Sequence, residues 1–260
     1  MIFCFCQSDL GFLYVQFIQS FLKMKGYFHL RGQCGNAIMT PKGGVFMKDF
    51  PLFSTEAGVS SLILKEIPYR QEAYIHIQDL QPGGLSEHLN ECVSFCRMAG
   101  AERIFATGHE ALEGYPVHMS LLEMRGVAWV DTDLLRNLFP VTEQTVSQWR
   151  QIYNEAMRKV DNAQTLEKRD EEKILSSGGA YFIHDNGTLL GIGWMEDTKL
   201  LAVASVVPGA GQQLMHTLMS LVEGADMTIE VASTNHKAIR LYEKLGFLQL
   251  CEVKKWYIVP

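Results

Sequence analysis

The stretch NHKAIRLYEKLGF, residues 235–247, has the form of a short helix with a defined beginning and end. Its apolar residues recur at the spacings i, i+3, i+4 and i+7, which predicts one buried helix face. That face consists of Ala238, Leu241, Tyr242 and Leu245. Asn235 is suited to cap the first turn, and Gly246 is suited to the left-handed residue that follows a helix. The stretch therefore predicts a capped amphipathic helix that turns sharply into a new apolar run.

The composition of the chain bounds its class. The 260 residues are 47% apolar and 20% charged, which is typical of a soluble globular protein with enough material for a core. This length fits one large domain or two of about 130 residues. The net charge is −6 and no lysine- or arginine-rich block occurs, so nucleic acid is not an expected partner.

The first 26 residues are apolar enough to resemble a targeting segment. They lack a basic leading region, and polar residues interrupt the apolar run well short of the roughly 18 residues that a membrane span needs. We expect a helix of a soluble domain there and no membrane partner. The six cysteines show no C-x-x-C spacing, which favours reduced, buried thiols in a cytoplasmic protein.

The second half of the chain shows a regular order of elements. A strand is predicted within residues 133–140, a helix after Thr142, and a solvated helix face over the charged run 167–173. Asn186-Gly187 predicts a tight hairpin between two of three successive strands. Strand, helix, strand, the 235–247 helix and two closing apolar runs follow. The predicted order is β-α-α-β-β-β-α-β-α-β-β.

The 235–247 stretch resembles a signature of the GNAT superfamily of acetyl-CoA-dependent N-acetyltransferases. That signature is Asn, two residues, Ala, two residues, Leu-Tyr, three residues, Gly-Phe, and the predicted element order is also the GNAT order. The resemblance implies an α/β (α+β) fold in which a mixed twisted sheet is flanked by helices. The alternative is an ordinary amphipathic helix that ends at a glycine.

The first half contains a weaker repeat of the same pattern of elements. A strand at residues 73–80, a Pro-Gly turn, a helix and a Gly-Ala-acid strand over 100–106 match their counterparts at residues 199–230. After Ala106 the similarity ends, because the segment before Pro116 is too short for a helix and a turn. We therefore predict two tandem GNAT-like modules, a degenerate one at residues 1–130 and a cofactor-binding one at residues 131–260.

A glycine-rich turn, Pro208-Gly209-Ala210-Gly211, joins a predicted strand to a helix N-terminus. Glycines there allow close backbone approach, and the exposed N–H groups and helix dipole attract phosphate oxygens. The resemblance implies that the CoA pyrophosphate lies here, although Val206 stands where the family has Gln or Arg, which puts the affinity in doubt. The cofactor-binding residues that it implies are Val206, Val207, Gly209, Ala210, Gly211, Gln212, Asn235, Ala238, Tyr242 and Lys244.

The resemblance also places the family's general acid at Tyr242, where a phenol can protonate the departing CoA thiolate. The alternative is that Tyr242 belongs to the apolar face, with its hydroxyl bonded at the edge. Asn235 corresponds to a pantetheine contact and can also serve as the helix cap. No general base stands out. The possible residues are Glu196, Asp197, Glu230 and His184.

No metal is predicted, because the spacing of His109, Glu110 and His118 fits no common metal site. The expected reaction is acetyl transfer from acetyl-CoA to a primary amine by direct attack, with a small-molecule or peptide acceptor. One alternative is a protein that senses acyl-CoA without turnover, which the absent Gln or Arg side chain suggests. The other is an interaction module with no CoA site.

Overall fold

The computed structural model describes residues 38–39, 45–46, 51–128, 132–222 and 224–260. Their contacts group them into two units. The first unit contains the described residues up to Pro116 together with Tyr257–Pro260, and the second unit is Val117–Trp256. The helix predicted within the first 26 residues lies outside the described residues. No helix in the described ranges is long and apolar enough to cross a membrane.

The first unit is a mixed sheet with a parallel crossover. Its elements are β1 (Ile38–Met39), β2 (Val45–Phe46), β3 (Leu52–Ser54), β4 (Gly58–Ile63), α1 (Ile67–Arg70), β5 (Glu72–Leu80), α2 (Leu85–Met98) and β6 (Arg103–Thr107). β1 and β2 form a separate hairpin, and the other strands follow the order β3-β4-β5-β6. Only the β5–β6 pair in this order is parallel, because α2 carries the chain back to the starting end of the sheet.

Burial determines the state of the cysteines in α2. Cys92 and Cys96 are free and buried in the apolar core of the first unit. Loss of solvation raises the pKa of each thiol to about 12, so both are protonated at neutral pH. The expectation of buried thiols is therefore confirmed for these two. It is wrong for Cys251, which is exposed, and Cys4, Cys6 and Cys34 lie outside the described residues.

The second unit is a larger mixed sheet with helices on both faces. Its elements are β7 (Val117–Val127), β8 (Leu138–Pro140), α3 (Val146–Met157), α4 (Glu171–Ser177), β9 (Ala180–Asp185), β10 (Thr188–Glu196), β11 (Lys199–Ser205), α5 (Gly211–Met219), β12 (Asp226–Ala232), α6 (His236–Lys244) and β13 (Leu248–Val259), whose last residues belong to the first unit. The strand order is β13-β7-β12-β11-β10-β9-β8. α5 and α6 contribute to one apolar cluster, and α3 and α4 contribute to another.

The predicted fold class is confirmed. Both units contain a strand run that is antiparallel, antiparallel and then parallel, β3-β4-β5-β6 in one and β9-β10-β11-β12 in the other. The chain is therefore an α/β protein with a repeated mixed-sheet motif flanked by helices. The boundary between residues 130 and 131 stays a prediction.

The helix predicted at 235–247 is confirmed in detail. Asn235 caps α6, because its Oδ1 accepts a hydrogen bond from the Ala238 N–H at 3.3 Å. Gly246 has φ +88°, the left-handed conformation that ends the helix. The strand predicted over 133–140 is mostly wrong: residues Thr132–Asn137 form a 3-10 helix and only Leu138–Pro140 is extended. The two predicted closing runs form one strand, β13.

The residue after that helix packs against β7. Phe247 is almost fully buried, and a Cβ built on Gly126 would lie 2.7 Å from Cγ of its ring. The ring therefore occupies the space that any side chain at position 126 would need. Contact between the 235–247 stretch and β7 thus depends on a glycine.

We expect residues 131–260, expressed alone, to be much less stable than residues 117–260. The shorter fragment lacks β7, which forms seven register pairs with β12 and contributes Leu122 and Met124 to the apolar core. Its β12 would present unpaired backbone groups, and an exposed apolar patch would remain. The melting temperatures of the two fragments and the spread of their amide chemical shifts in NMR spectra measure this difference in stability. Equal melting temperatures would contradict it.

Replacing Gly126 with valine should destabilise the full chain by about 1–3 kcal/mol, because the new side chain overlaps the Phe247 ring. Urea unfolding measures the change. Gly114→Val is a matched control, since an added Cβ there meets nothing within 4 Å. The cost of Gly126→Val should shrink in a Phe247→Leu background. An equal cost in both backgrounds would refute the overlap.

Candidate active site

The parallel strands β11 and β12 separate soon after they begin to pair. Their described residues form two register pairs, Lys199↔Thr228 and Leu200↔Ile229. From Ala202 to Ser205, β11 continues to pair with β10 on its other side. Its edge toward β12 is consequently open for hydrogen bonding to a ligand. This opening lies at the carboxyl ends of parallel strands, where α/β sheets bind their ligands.

The corresponding strands of the first unit stay together. β5 and β6 form five register pairs, from Glu72↔Arg103 to His76↔Thr107. Immediately after β6, a Cβ built on Gly108 would lie 2.3 Å from the Ile77 carbonyl oxygen. The backbone of Gly108 thus packs directly on β5. The two parallel pairs therefore differ in how far they stay paired.

The glycine-rich turn lies between β11 and α5, at the open end of β11. The Val206 N–H donates to the Leu190 carbonyl at 2.9 Å, and the Ser205 hydroxyl donates to the Val207 carbonyl. Gly209 has φ +86°, a conformation that side chains rarely adopt, and a Cβ there would meet nothing within 4 Å. Val206 is 45% exposed. The turn is therefore tied to β10 at its start and open at Gly209.

The N-terminus of α5 has no side-chain cap. Ala210 occupies the cap position and has no side chain that could accept from the first-turn N–H groups of Gly211 and the next two residues. The helix also approaches β10 closely, because a Cβ on Gly193 would lie 2.5 Å from Leu218 Cδ2. The sheet thus fixes the position of a helix end that can bind an anion.

Lys244 adds a positive charge at this helix end. It lies in the last turn of α6, and its Nζ donates to Gln212 Oε1 at 2.9 Å. Burial, and then the charge of Lys244, lower the pKa of His216 in α5, so His216 is neutral at neutral pH. Two residues predicted to bind the cofactor, Gln212 and Lys244, are thereby brought together across two helices.

Tyr242 and Ala238 lie on the buried face of α6. Tyr242 is 1% exposed, and its ring centroid lies 5.9 Å from that of Phe247. Ala238 is fully buried in the same apolar cluster. The two predicted roles of Tyr242, general acid and core residue, stay open in this position.

The predicted general-base candidates are dispersed. Glu196 pairs with Lys199 at the start of β11, at the end opposite to Ser205, and Asp197 follows Glu196 in the turn. His184 packs on the Phe139 ring, with centroids 4.9 Å apart. Glu230 lies just beyond the last β11–β12 pair, but its Oε1 accepts from Lys199 Nζ at 2.9 Å. Of the four, Glu230 lies nearest along the strands to their point of separation.

A polar cluster that the sequence did not predict lies at the carboxyl end of β12. Ser233 and Ser120 exchange hydrogen bonds, with the Ser233 N–H donating to the Ser120 carbonyl at 2.8 Å and Ser233 Oγ accepting from the Ser120 N–H at 2.9 Å. Thr234 Oγ1 donates to Asp161 Oδ2 at 2.7 Å. His118 Nε2 lies 3.8 Å from Asp161 Oδ1. These residues come from three distant segments, so local sequence patterns gave no signal for them.

The described residues contain no group of three His, Cys, Asp or Glu side chains that could hold a metal ion. Of the sequence candidates for such a group, His109 Nδ1 accepts from the Ala111 N–H at 3.1 Å and caps a 3-10 helix. His118 belongs to the polar cluster described above.

Comparison with known proteins gives a family match. Residues 146–247 match the model of the Acetyltransferase (GNAT) family. A search of curated proteins gave no significant match. Among solved structures, the chain is similar to a GNAT-family acetyltransferase from Colwellia psychrerythraea, with 13% identity over 80% of this chain and 84% of that one and a TM-score of 0.42. It is also similar to a tandem GNAT protein from the clavulanic acid biosynthesis pathway, with 14% identity over 78% of each chain and a TM-score of 0.41.

The matched range begins at α3 and ends at Phe247, so it includes the strand separation, the glycine-rich turn and the capped helix α6. Over residues 146–247, the chain is therefore similar to the GNAT acetyltransferase family.

Proposed function

We propose that this chain transfers an acetyl group from acetyl-CoA to a primary amine by direct attack, with a small molecule or a peptide as the acceptor. The observation that carries the proposal is the separation of β11 from β12 beside the uncapped N-terminus of α5. The family match to acetyltransferases supports the same reaction class.

The open edge of β11 suits a ligand with amide groups. Residues from Ala202 to Ser205 pair with β10 but not with β12. Backbone N–H and C=O groups left at such an edge can bind an extended amide chain as a further strand would bind. The two amides of a pantetheine arm have this chemistry. We assign the arm to this edge, with Val207 and Asn235 on either side of its path.

The turn and helix that follow suit the pyrophosphate. Gly209, Ala210, Gly211 and Gln212 present backbone N–H groups at the positive end of the α5 dipole. Lys244 lies at the same place through its bond to Gln212 and adds a full charge. These groups compensate for Val206, which supplies no charged contact of the kind that the family places there.

Acetyl-CoA supplies the acetyl group as a thioester. The amine nitrogen forms a bond to the carbonyl carbon, and the carbon–sulfur bond breaks with its electron pair on sulfur. The Tyr242 phenol is assigned to protonate that sulfur. Its position in α6, seven residues after Asn235 and next to the buried Phe247 ring, keeps the phenol away from bulk solvent.

One observation favours a second function, the binding of acyl-CoA without turnover. Val206 replaces the residue type that gives the family's side-chain contact to phosphate, and it is 45% exposed. Release of free thiol from acetyl-CoA with a panel of amines separates the two functions. A chain that binds acetyl-CoA and releases no thiol with any amine would be the sensing protein.

We expect calorimetry to show one CoA per chain, bound in the second unit. Gly209→Ala should raise the Kd about tenfold, because alanine disfavours φ +86° and the turn must change shape. Gly178→Ala is the matched control: Gly178 also has positive φ, with nothing within 4 Å of an added Cβ, but it ends α4. No binding at millimolar CoA, or equal losses of affinity in both variants, would contradict the site.

Replacing Tyr242 with phenylalanine removes only the hydroxyl and leaves the ring in the core. If the phenol is the general acid, turnover should fall by about 10²- to 10⁴-fold while the Kd for CoA hardly changes. Thiol-release assays measure the turnover, and calorimetry measures the Kd for CoA. Unchanged turnover would remove Tyr242 from the mechanism, and parallel losses of affinity and melting temperature would identify it as a core residue.

A further inference from the structure

We propose that His118, positioned by Asp161, accepts the proton that the attacking amine loses. This inference rests on the proposed function, acetyl transfer to a primary amine. It adds the base that sequence analysis did not identify, and it places that base on β7, which precedes the matched family domain in the chain.

The reaction requires such a group. A primary amine at neutral pH is largely protonated, so its ammonium form first releases one proton to solvent. After the neutral amine has attacked the carbonyl carbon, its nitrogen must lose a second proton. Histidine titrates near neutrality and is the most common side chain in this role. The step is balanced when His118 takes the second proton, the one that the nitrogen loses after attack, while Tyr242 gives one to sulfur. Proton return from the imidazolium to the tyrosinate through solvent then restores both side chains.

Strand pairing brings His118 to the correct end of the sheet. β7 is antiparallel to β12, so the beginning of β7 lies beside the carboxyl end of β12. The register runs to Leu121↔Ala232, and the exchange between Ser120 and Ser233 extends it by one step. β11 and β12 are separated at this same end. His118 therefore lies at the end of the sheet where β11 and β12 are separated.

Asp161 orients the ring and balances the charge that it gains. The 3.8 Å between His118 Nε2 and Asp161 Oδ1 is an ion-pair distance, so a carboxylate lies beside the ring when it carries the transferred proton. Thr234 Oγ1 fixes the carboxylate through its 2.7 Å bond to Oδ2. Thr234 directly precedes Asn235, so this network is joined to the start of α6.

The exposure of these groups suits proton transfer. The His118 side chain is 17% exposed and that of Asp161 is 33% exposed, so the ring is partly shielded and can still exchange protons with water. Charged groups of β13 also lie near this end: Glu252 is hydrogen-bonded to Ser120 and forms a 3.1 Å ion pair with Lys255. A hydrogen bond from Ser120, and then the effects of Lys255, lower the pKa of Glu252, so this carboxyl is ionised at neutral pH.

Glu230 is the competing base. Its carboxylate lies on β12 and faces Glu123 across the β7–β12 pair, but the Lys199 ammonium binds it at 2.9 Å. Its Oε1 is therefore already engaged by an ammonium group. The two candidates differ in residue type, so they can be separated by chemical rescue.

The test uses the full chain, acetyl-CoA and the amine of the panel that gives the fastest thiol release. We expect His118→Ala to lower kcat by at least about 100-fold with an unchanged Kd for CoA, and Asp161→Asn to lower it by about tenfold. Added imidazole should restore part of the activity of His118→Ala, because the small base can enter the space that the ring leaves. His109→Ala in the first unit is the matched control and should behave as the wild type.

The pH profile gives an independent readout. Wild-type kcat/KM should rise with pH along a limb that His118→Ala loses and that imidazole brings back. A purely structural role of His118 would change stability but neither the limb nor the rescue. Full activity in His118→Ala, or a 100-fold loss in Glu230→Gln with none in His118→Ala, would overturn the assignment. A wild type that binds CoA but releases no thiol with any amine would overturn the proposed function, and the base with it.

Discussion

Backbone pairing between β11 and β12 ends after Leu200 and Ile229, and the arrangement of the candidate site depends on this separation. Parallel strands joined by a helix would otherwise satisfy each other along their length, as β5 and β6 do over five pairs. Separation leaves the edge of β11 open, aligns the glycine-rich turn with that edge, and brings the end of α5 next to α6. Backbone N–H and C=O groups without hydrogen-bond partners cost free energy. A ligand with its own amides can form hydrogen bonds with them and so offset this cost.

Small residues make this geometry possible. Glycines at 191 and 193 let α5 approach β10 closely, and Gly126 lets the Phe247 ring pack on β7. In both places a side chain of the helix or turn that borders the site packs directly on the backbone of a strand glycine. The positions of the α5 N-terminus and of α6 are therefore set by the sheet rather than by flexible surface contacts.

Local patterns predicted much of the fold and part of the site. The cap at Asn235, the left-handed Gly246 and the hairpin at Asn186-Gly187 follow from residue chemistry within a few positions. The pairing of β7 with β12 does not follow from local residue chemistry, because the partner of a strand depends on apolar faces that are distant in sequence. The periodicity of one strand does not indicate which other strand it pairs with. His118, Asp161 and Thr234 meet only through that pairing and the α3–α4 segment. The strand expected at residues 133–140 was mostly wrong because apolar spacing over so few residues fits a 3-10 turn equally well.

Strand β13 has a consequence for how this chain is made. Its first residues belong to the second unit, while Tyr257 to Val259 pair with β6 of the first unit. Tyr257 and Ala106, which face each other in this pair, are separated by roughly 150 residues of sequence, a contact of high order that forms slowly. During synthesis, β6 emerges from the ribosome long before its partner in β13 has been made. Until then, the edge of β6 that pairs with β13 has no strand beside it. The first unit can therefore complete its sheet only after residues 257–259 have been synthesised, and their pairing with β6 is a late step of folding.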